Sequence, residues 1–309
     1  MRAKQKKKKK WLRITGIIVL LLLISLGTYL FTVYRSLTTA VDTMHEPVQR
    51  EQRKVEPKPV TFEKEEPFAV LMLGVDERTG DKGRSDTIIT LAVNPAKNSI
   101  KMLSIPRDTR TEIVGRGTQD KINHAYAFGG VEMSMDTVES FLDIPIEYYV
   151  KVNMEGFQDI VDAVGGVTVN NEFEFTQDKV HFAEGTLNLN GEKALAYVRM
   201  RKQDPSGDFG RQKRQRQVIQ GVINKGASLG SLTKFDNIFN ALGNNVKTNI
   251  TFDEMVDIQG NYREAAGNIE QMKLDVSGQY IGGISYQLVS AEEQQRVQKE
   301  LREHLELNN

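Results

Sequence analysis

Apolar positions fall into three regimes along the chain. ITGIIVLLLLISLGTYLFTV, residues 14–33, carries no charge at all. Residues 34–67 place Pro47, Pro57, Pro59 and Pro67 among Glu, Lys, Gln and Arg. From Phe68 onward, short apolar runs alternate with stretches of helical period. FAVLMLGV (68–75) is a nearly continuous apolar run, which predicts a strand buried on both faces. TIITLAV (87–93) and SIKMLSI (99–105) predict two more strands, joined by the turn-forming NPAKN. EYYVKV (147–152) and VTVNNEFEF (167–175) read as strands, and QMKLDV and YQLVS as two later ones. Helices are predicted at 131–142, 156–164, 190–198 with Asn190 as cap, and 211–226 ending at Gly226. A charged helix closes the chain. Strands mixed with helices imply an α/β fold, a mixed central sheet flanked by helices on both faces.

The uncharged run is twenty residues long. At 1.5 Å per residue it spans roughly 30 Å, the thickness of a bilayer's hydrocarbon core. A cleavable signal peptide has a shorter apolar region, about 7–15 residues, and a small-residue cleavage site; no convincing site follows here. The pattern therefore predicts one uncleaved transmembrane helix at 14–33. The first thirteen residues hold eight Lys or Arg and no acid. Cations on that flank place the N-terminus in the cytoplasm and the rest outside, a single-pass type II arrangement. Residues 1–13 are a basic cytoplasmic tail, and 34–67 read as an extracellular stalk of extended chain. The extracellular domain is 68–309.

Charge narrows the function. The whole chain balances 41 cations against 41 acids. Without the basic tail, 33 cations face 41 acids. An acidic body argues against a general nucleic-acid surface. With no cysteine and four scattered histidines, zinc chemistry and Cys–His catalysis have no residues to use.

Two acids stand at predicted strand ends. Asp76 follows the first strand in GVDERTG, and Asp86 opens the second in GRSDTII. If those strands pair, both carboxylates share one sheet edge, where ligands gather in open α/β sheets. Two carboxylates without His or Cys suit a hard cation such as Mg²⁺ (or Mn²⁺), completed by phosphate oxygens. Asp is also a common turn residue, bonding nearby amides. SIPRDTR (104–110) brings Arg107 to the same end; a surface pairing with Asp108 is its plain alternative.

Residues 198–217, VRMRKQDPSGDFGRQKRQRQ, hold seven cations and two acids. On helix 211–226, Val218, Ile219, Val222 and Ile223 mark the buried stripe. Arg211, Arg214 and Gln215 extend that stripe toward the N-terminus, while Lys213 and Arg216 point aside. Cations at a helix N-terminus are disfavoured by about 0.3–1 kcal/mol each. An anion between them and the free amides removes the conflict. Arg199 and Arg201 arrive from the preceding helix, and Asp208 is a plausible N-cap. Arginine's planar fork suits phosphate. The residues thus define a membrane-anchored, exterior α/β domain that binds a metal-complexed polyanion such as pyrophosphate. They name no reaction.

GVDERTGDKGRSDTIITLAVNP, SIPRDTR, KINHAYAFGG and EGTLNLNGEKALAYVRMRKQDPSGDFGRQKRQRQ, in this order behind a basic tail and one span, resemble the LytR–CpsA–Psr family of Gram-positive bacteria. The resemblance is strongest over 68–230 and is greatest to LytR-type teichoic acid transferases of bacilli. It implies a phosphotransferase that moves an anionic glycopolymer, such as wall teichoic acid, from undecaprenyl pyrophosphate to peptidoglycan. The implied acceptor is the 6-hydroxyl of N-acetylmuramic acid. It also implies Asp76 and Asp86 as Mg²⁺ or Mn²⁺ ligands. Arg78, Arg84, Arg107, Arg199, Arg201, Arg211, Arg214 and Gln215 would line the pyrophosphate site. Asp76 and Arg107 are the catalytic candidates, with Asp76 receiving the hydroxyl proton. A greasy pocket for the prenyl chain is expected, with candidates among the apolar residues of 131–142 and 235–242.

Two other functions use parts of the same pattern. An exterior pyrophosphatase on lipid-linked pyrophosphates would use the same metal and arginines, with water in place of the sugar. A DNA-binding regulator would use RQKRQRQ, but the predicted topology puts that helix outside the cell.

Overall fold

The structure is a computed structural model, and it describes residues 2–55, 60–77, 83–228 and 242–307. Arg78 and most of 235–242 lie outside the described residues. The first helix, α1 (Arg2–Met44), includes the one candidate membrane span among the described residues, Thr15–Met44, none of whose apolar window is buried.

The central sheet has six strands. β1 (Phe68–Val75), β2 (Ser85–Asn94) and β3 (Ser99–Ser104) form an antiparallel meander. A small hairpin follows, β4 (Arg110–Ile113) and β5 (Thr118–Lys121), and leads into α2 (His124–Leu142). β6 (Tyr148–Val152) then pairs in parallel with β1. After α3 (Met154–Ala163) the chain leaves the sheet. It forms β7 (Val167–Asn171), β8 (Phe175–Gln177), β9 (Val180–Phe182) and β10 (Gly185–Leu189), paired β7 with β10 and β8 with β9. Two helices follow, α4 (Gly191–Arg199) and α5 (Asp208–Ser228). β11 (Val246–Thr248) adds to β6, and α6 (Phe252–Asn261) precedes β12 (Ile269–Met272), which adds to β3. A last hairpin, β13 (Ser277–Ile281) and β14 (Ile284–Leu288), leads to α7 (Ala291–His304).

Strand alternation divides two cores. Leu71, Leu73, Ile88 and Leu103 face α2 and α7, where Met135, Val138, Phe141 and Leu301 meet them. Val70, Ile89, Leu91 and Met102 face the other side, toward Ile219 and Ile223 of α5 and Met255 of α6. This is the expected mixed sheet with helices on both faces.

Three expectations change. VTVNNEFEF is broken: β7 stops at Asn171, whose side-chain amide donates to the carbonyls of Phe173 (2.6 Å) and Ala183 (2.8 Å). The apolar residues of 131–142 divide: Met135, Val138, Phe141 and Leu142 are buried in the core, and Met133 lines a cleft with Val114 and Gly129. The stalk is docked. Leu37, Val41 and Met44 are buried, Val41 and Met44 against Leu242 and Val246. Beyond them Arg50 pairs with Asp136 (2.7 Å) and Glu139 (3.0 Å), and Arg53 with Glu139 (2.8 Å). Charged side chains, which composition assigns to solvent, find buried carboxylates on α2.

Candidate functional site

The site is built on the ends of β1, β2 and β3. Val75 pairs with Ser85 and Gly74 with Thr87, so Asp86 is the extra residue of a β-bulge. Bulges re-aim side chains next to functional sites. Here the bulge turns Asp86 toward the loop after β3, where Arg107 Nη1 donates to its Oδ1 at 2.7 Å. Asp76 follows β1 directly, and its amide donates to the Arg84 carbonyl (3.4 Å). Gly83 closes this turn at φ +65°, and a Cβ there would stand 2.3 Å from the Asp76 carbonyl oxygen. Arg84 is exposed. The loop bearing Arg107 is tied down by Asn123, whose amide donates to the Arg107 carbonyl (3.3 Å).

The first turn of α5 completes the cluster. Arg211 Nη2 lies 2.6 Å from Asp208 Oδ1, and Arg201 approaches the same oxygen at 3.8 Å. The Arg211 contact is an ion pair without hydrogen-bond alignment, and the buried Nε of Arg211 has no partner. Burial lowers the Arg211 pKa from its ordinary value; Asp208 and Asp86 oppose that shift, while Arg107 and Arg201 add to it. Arg107 is raised: burial is the largest influence and lowers it, but Asp86, Asp108 and Asp208 together outweigh it. These couplings place Asp86, Arg107, Asp208, Arg201 and Arg211 in one electrostatic cluster. The three arginines pair with Asp86 and Asp208, and Arg107 also approaches Asp108 at 3.8 Å, a carboxylate whose nearer partner is Lys121 at 2.8 Å. Gln215 lies one turn after Arg211 on the same face of α5. Arg199 is apart, half-exposed and 3.9 Å from Asp178.

Arg214 departs from its expected role. Its guanidinium is 2.5 Å from Asp204 Oδ2 and donates to the carbonyls of Tyr197 (3.1 Å) and Met200. It also lies over the rings of Phe175 (5.5 Å) and Tyr197 (5.9 Å). Only 5% of Arg214 is exposed. Gly210 makes this possible, since a Cβ there would meet Asp204 Oδ2 at 1.8 Å. Arg214 ties the 200–207 loop to α5, and the loop carries Arg201.

Sequence reasoning missed the anchors behind Asp76. Glu77 receives the Tyr126 hydroxyl, and Lys151 Nζ stands 3.4 Å from it. Tyr126 sits in KINHAYAFGG, a motif with no stated chemistry of its own. Asp208, expected as an N-cap, pairs with Arg211 and Arg201 instead, while Gln212 Nε2 donates to its Oδ2 (3.1 Å).

The donor set bears on the expected cation. Among the described residues no group of three or more His, Cys, Asp or Glu could enclose a metal ion. Asp76 and Asp86 alone fit Mg²⁺ in its open mode, in which one or two carboxylates act with phosphate oxygens and water.

An α/β sandwich behind an N-terminal apolar helix, with an arginine cluster at its strand ends, agrees with comparisons to known proteins. The LytR_cpsA_psr family matches residues 30–303, and the chain belongs to that family. It is 51% identical over 307 residues to the polyisoprenyl-teichoic acid–peptidoglycan teichoic acid transferase TagU of Bacillus subtilis (strain 168), covering 99% of this chain and 100% of that protein. The crystal structure of B. subtilis TagU matches with a TM-score of 0.64 at 52% identity, over 79% of this chain and 99% of that one. A transcriptional regulator (EF0465) from Enterococcus faecalis matches with a TM-score of 0.75 at 41% identity, over 81% and 92%. TagT bound to LI-WTA matches with a TM-score of 0.72 at 33% identity, over 85% and 100%.

Proposed function

We propose that this protein transfers an anionic glycopolymer, wall teichoic acid, from a polyprenyl pyrophosphate carrier to peptidoglycan. The observation that carries this reading is the cationic cluster at the strand ends, where Arg107, Arg201, Arg211 and Lys121 meet Asp86, Asp108 and Asp208 and a buried Arg211 donor has no partner. Family membership and the transferase name of a relative at 51% identity supply the reaction. TagT bound to LI-WTA supports the donor class.

In this reading Arg84, Arg107, Arg201, Arg211 and Gln215 grip the pyrophosphate. Arg199, at the end of α4, would have to leave Asp178 to join them, and Arg78 is a further candidate from the sequence. Asp76 and Asp86 would hold Mg²⁺. When bound, the ion neutralises phosphate charge as the leaving group departs. The acceptor hydroxyl oxygen forms a bond to the phosphorus that carries the glycopolymer. The bridging P–O bond to the lipid phosphate breaks, and undecaprenyl phosphate leaves with that electron pair. Asp76 is assigned the hydroxyl proton. The arginines hold the phosphates in line and stabilise charge, the main source of catalysis in phosphoryl transfer. Partly buried Met72, Val150, Ile219, Ile223 and Met255 between β1, β6, α5 and α6 supply an apolar path for the prenyl chain. The N-terminal helix crosses the membrane with the basic tail inside and the domain outside.

The geometry disfavours DNA binding. A DNA-reading helix presents its cations outward, whereas Arg214 is buried, Arg211 pairs with Asp208, and Lys213 pairs with Glu172. A lipid pyrophosphatase would share the site, so the products decide. Full-length protein in detergent micelles, given lipid-pyrophosphate-linked glycan, uncrosslinked peptidoglycan oligomer and Mg²⁺, is expected to yield a phosphodiester conjugate by mass spectrometry. Chelation of the metal is expected to abolish it. Phosphorylated glycan without conjugate would establish hydrolysis instead.

A further inference from the structure

A cleft of about 440 Å³ opens beside the anion site, and none of the pyrophosphate or metal candidates except the buried Arg214 lines it. It lies between α5, the 170–173 segment and the residues after β12. We propose that this cleft holds the acceptor, a glycan strand of peptidoglycan, and that its hydroxyl enters the phosphorus site past Ser104 and Gln212. The inference rests on the transferase reading above.

Position is the first argument. Gln212 lines the cleft and donates to Asp208 Oδ2 at 3.1 Å, the carboxylate that pairs with Arg211. Ser104 also lines it, three residues before Arg107; it is 6% exposed and its Oγ has no partner. A buried hydroxyl without a partner is a ready contact for a polar ligand. Direction is the second argument. Phosphoryl transfer places attacking and leaving oxygens roughly in line, on opposite sides of phosphorus. Of the apolar side chains assigned above to the leaving lipid, the two on the sheet, Met72 and Val150, lie on its β1 and β6 flank. The cleft lies on the opposite flank, at Ser104 of β3 and Met272 of β12.

Chemistry is the third argument. Phe209, 46% exposed, and Phe173 offer apolar faces to sugar rings. Asn170 brings an amide suited to hydroxyl and acetamido groups, while the Gln217 amide braces the wall, donating to the Asn170 carbonyl and accepting from the Tyr197 hydroxyl, each at 3.0 Å. Lys213 and Lys273 stand at the cleft wall for stem-peptide carboxylates; Lys213 is now paired with Glu172, and Lys273 with Asp275 (2.5 Å).

The test is a kinetic split. Phe209→Ala and Lys213→Glu, made separately in the full chain, are assayed for transfer while acceptor oligomer and lipid donor are varied in turn. Each is expected to raise the acceptor KM at least roughly tenfold, with the donor KM unchanged and the unfolding midpoint near wild type. An unchanged acceptor KM in both variants overturns the proposal. A donor KM that rises in step also overturns it and assigns the cleft to the donor's glycan. Absence of any conjugate from the wild-type protein defeats the transferase reading itself, and the acceptor assignment with it.

Discussion

Two arginine clusters in this molecule use the same side chain to opposite ends. Arg50 and Arg53 meet Asp136, Glu139 and Glu147, all at least four-fifths buried, and Arg50 Nη1 also donates to the Ile146 carbonyl at 2.6 Å. Carboxylates outnumber cations there, and even Arg50 Nη2, which makes no aligned hydrogen bond, lies 3.0 Å from Glu139. Arg107, Arg201 and Arg211 meet Asp86 and Asp208, Arg107 reaches Asp108 more distantly at 3.8 Å, and a buried Arg211 donor stays unpaired. Compensation separates the two. The first cluster is a clasp that docks the segment after the N-terminal apolar helix; the second is the one proposed to be completed by an anion. Within α5, Arg214 and Arg211 repeat the contrast three residues apart.

The comparison breaks most visibly at the clasp. Arg50→Ala strands Asp136 in the interior and leaves Glu139 to Arg53 alone. It is expected to cost about 3–5 kcal/mol in denaturant unfolding of the full chain, with the donor KM unchanged in the fraction that stays folded. A loss under about 1 kcal/mol would mean that the clasp is a surface pair. Arg211→Ala should do the reverse. Transfer is expected to fall about 100–1000-fold, while the unfolding midpoint holds or rises, because a poorly compensated charge has been removed. Arg214→Ala sharpens the distinction. It leaves Asp204 buried and unpaired and is expected to cost about 3 kcal/mol, so the two neighbouring arginines would trade effects.

A smaller effect comes from His304, remote from both clusters and 3% exposed. Burial holds its pKa below the ordinary 6.5; Lys97 and Lys101 add to the shift, while the Ser99 carbonyl and Glu270 oppose it. The unfolded chain therefore takes the proton more readily. The stability of the neutral form is full above about pH 6.5 and declines as pH falls toward the depressed folded pKa. His304→Gln is expected to remove part of the stability lost between pH 7 and 5, measured by unfolding at both values.

Much of this architecture was legible because local rules and tertiary structure agree. FAVLMLGV is buried on both faces as its pattern demands. The Asn190 side chain accepts from the Lys193 amide as a cap should. Asp76 and Asp86 stand at the ends of paired strands. What stayed hidden depends on partners distant in sequence. The bulge that aims Asp86 is a matter of register, which composition does not carry. A helical wheel puts Arg211 and Arg214 on one stripe, yet three residues fall about 60° short of a full turn. That step turns Arg214 toward Tyr197 and Arg211 toward the sheet end. Low apolar content marked 34–67 as solvated, but Arg50 and Arg53 bind carboxylates more than eighty positions away. The acceptor cleft has no contiguous motif, because its walls come from β3, the β7 loop, α5 and the residues after β12.

The central claim is that the strand-end arginines await a pyrophosphate. The most direct measurement is equilibrium binding of geranylgeranyl pyrophosphate with Mg²⁺ to the full chain, wild type against Arg211→Ala and Arg50→Ala. The account predicts that wild type and folded Arg50→Ala bind alike, and that Arg211→Ala binds at least roughly tenfold more weakly. Equal binding by wild type and Arg211→Ala would contradict it.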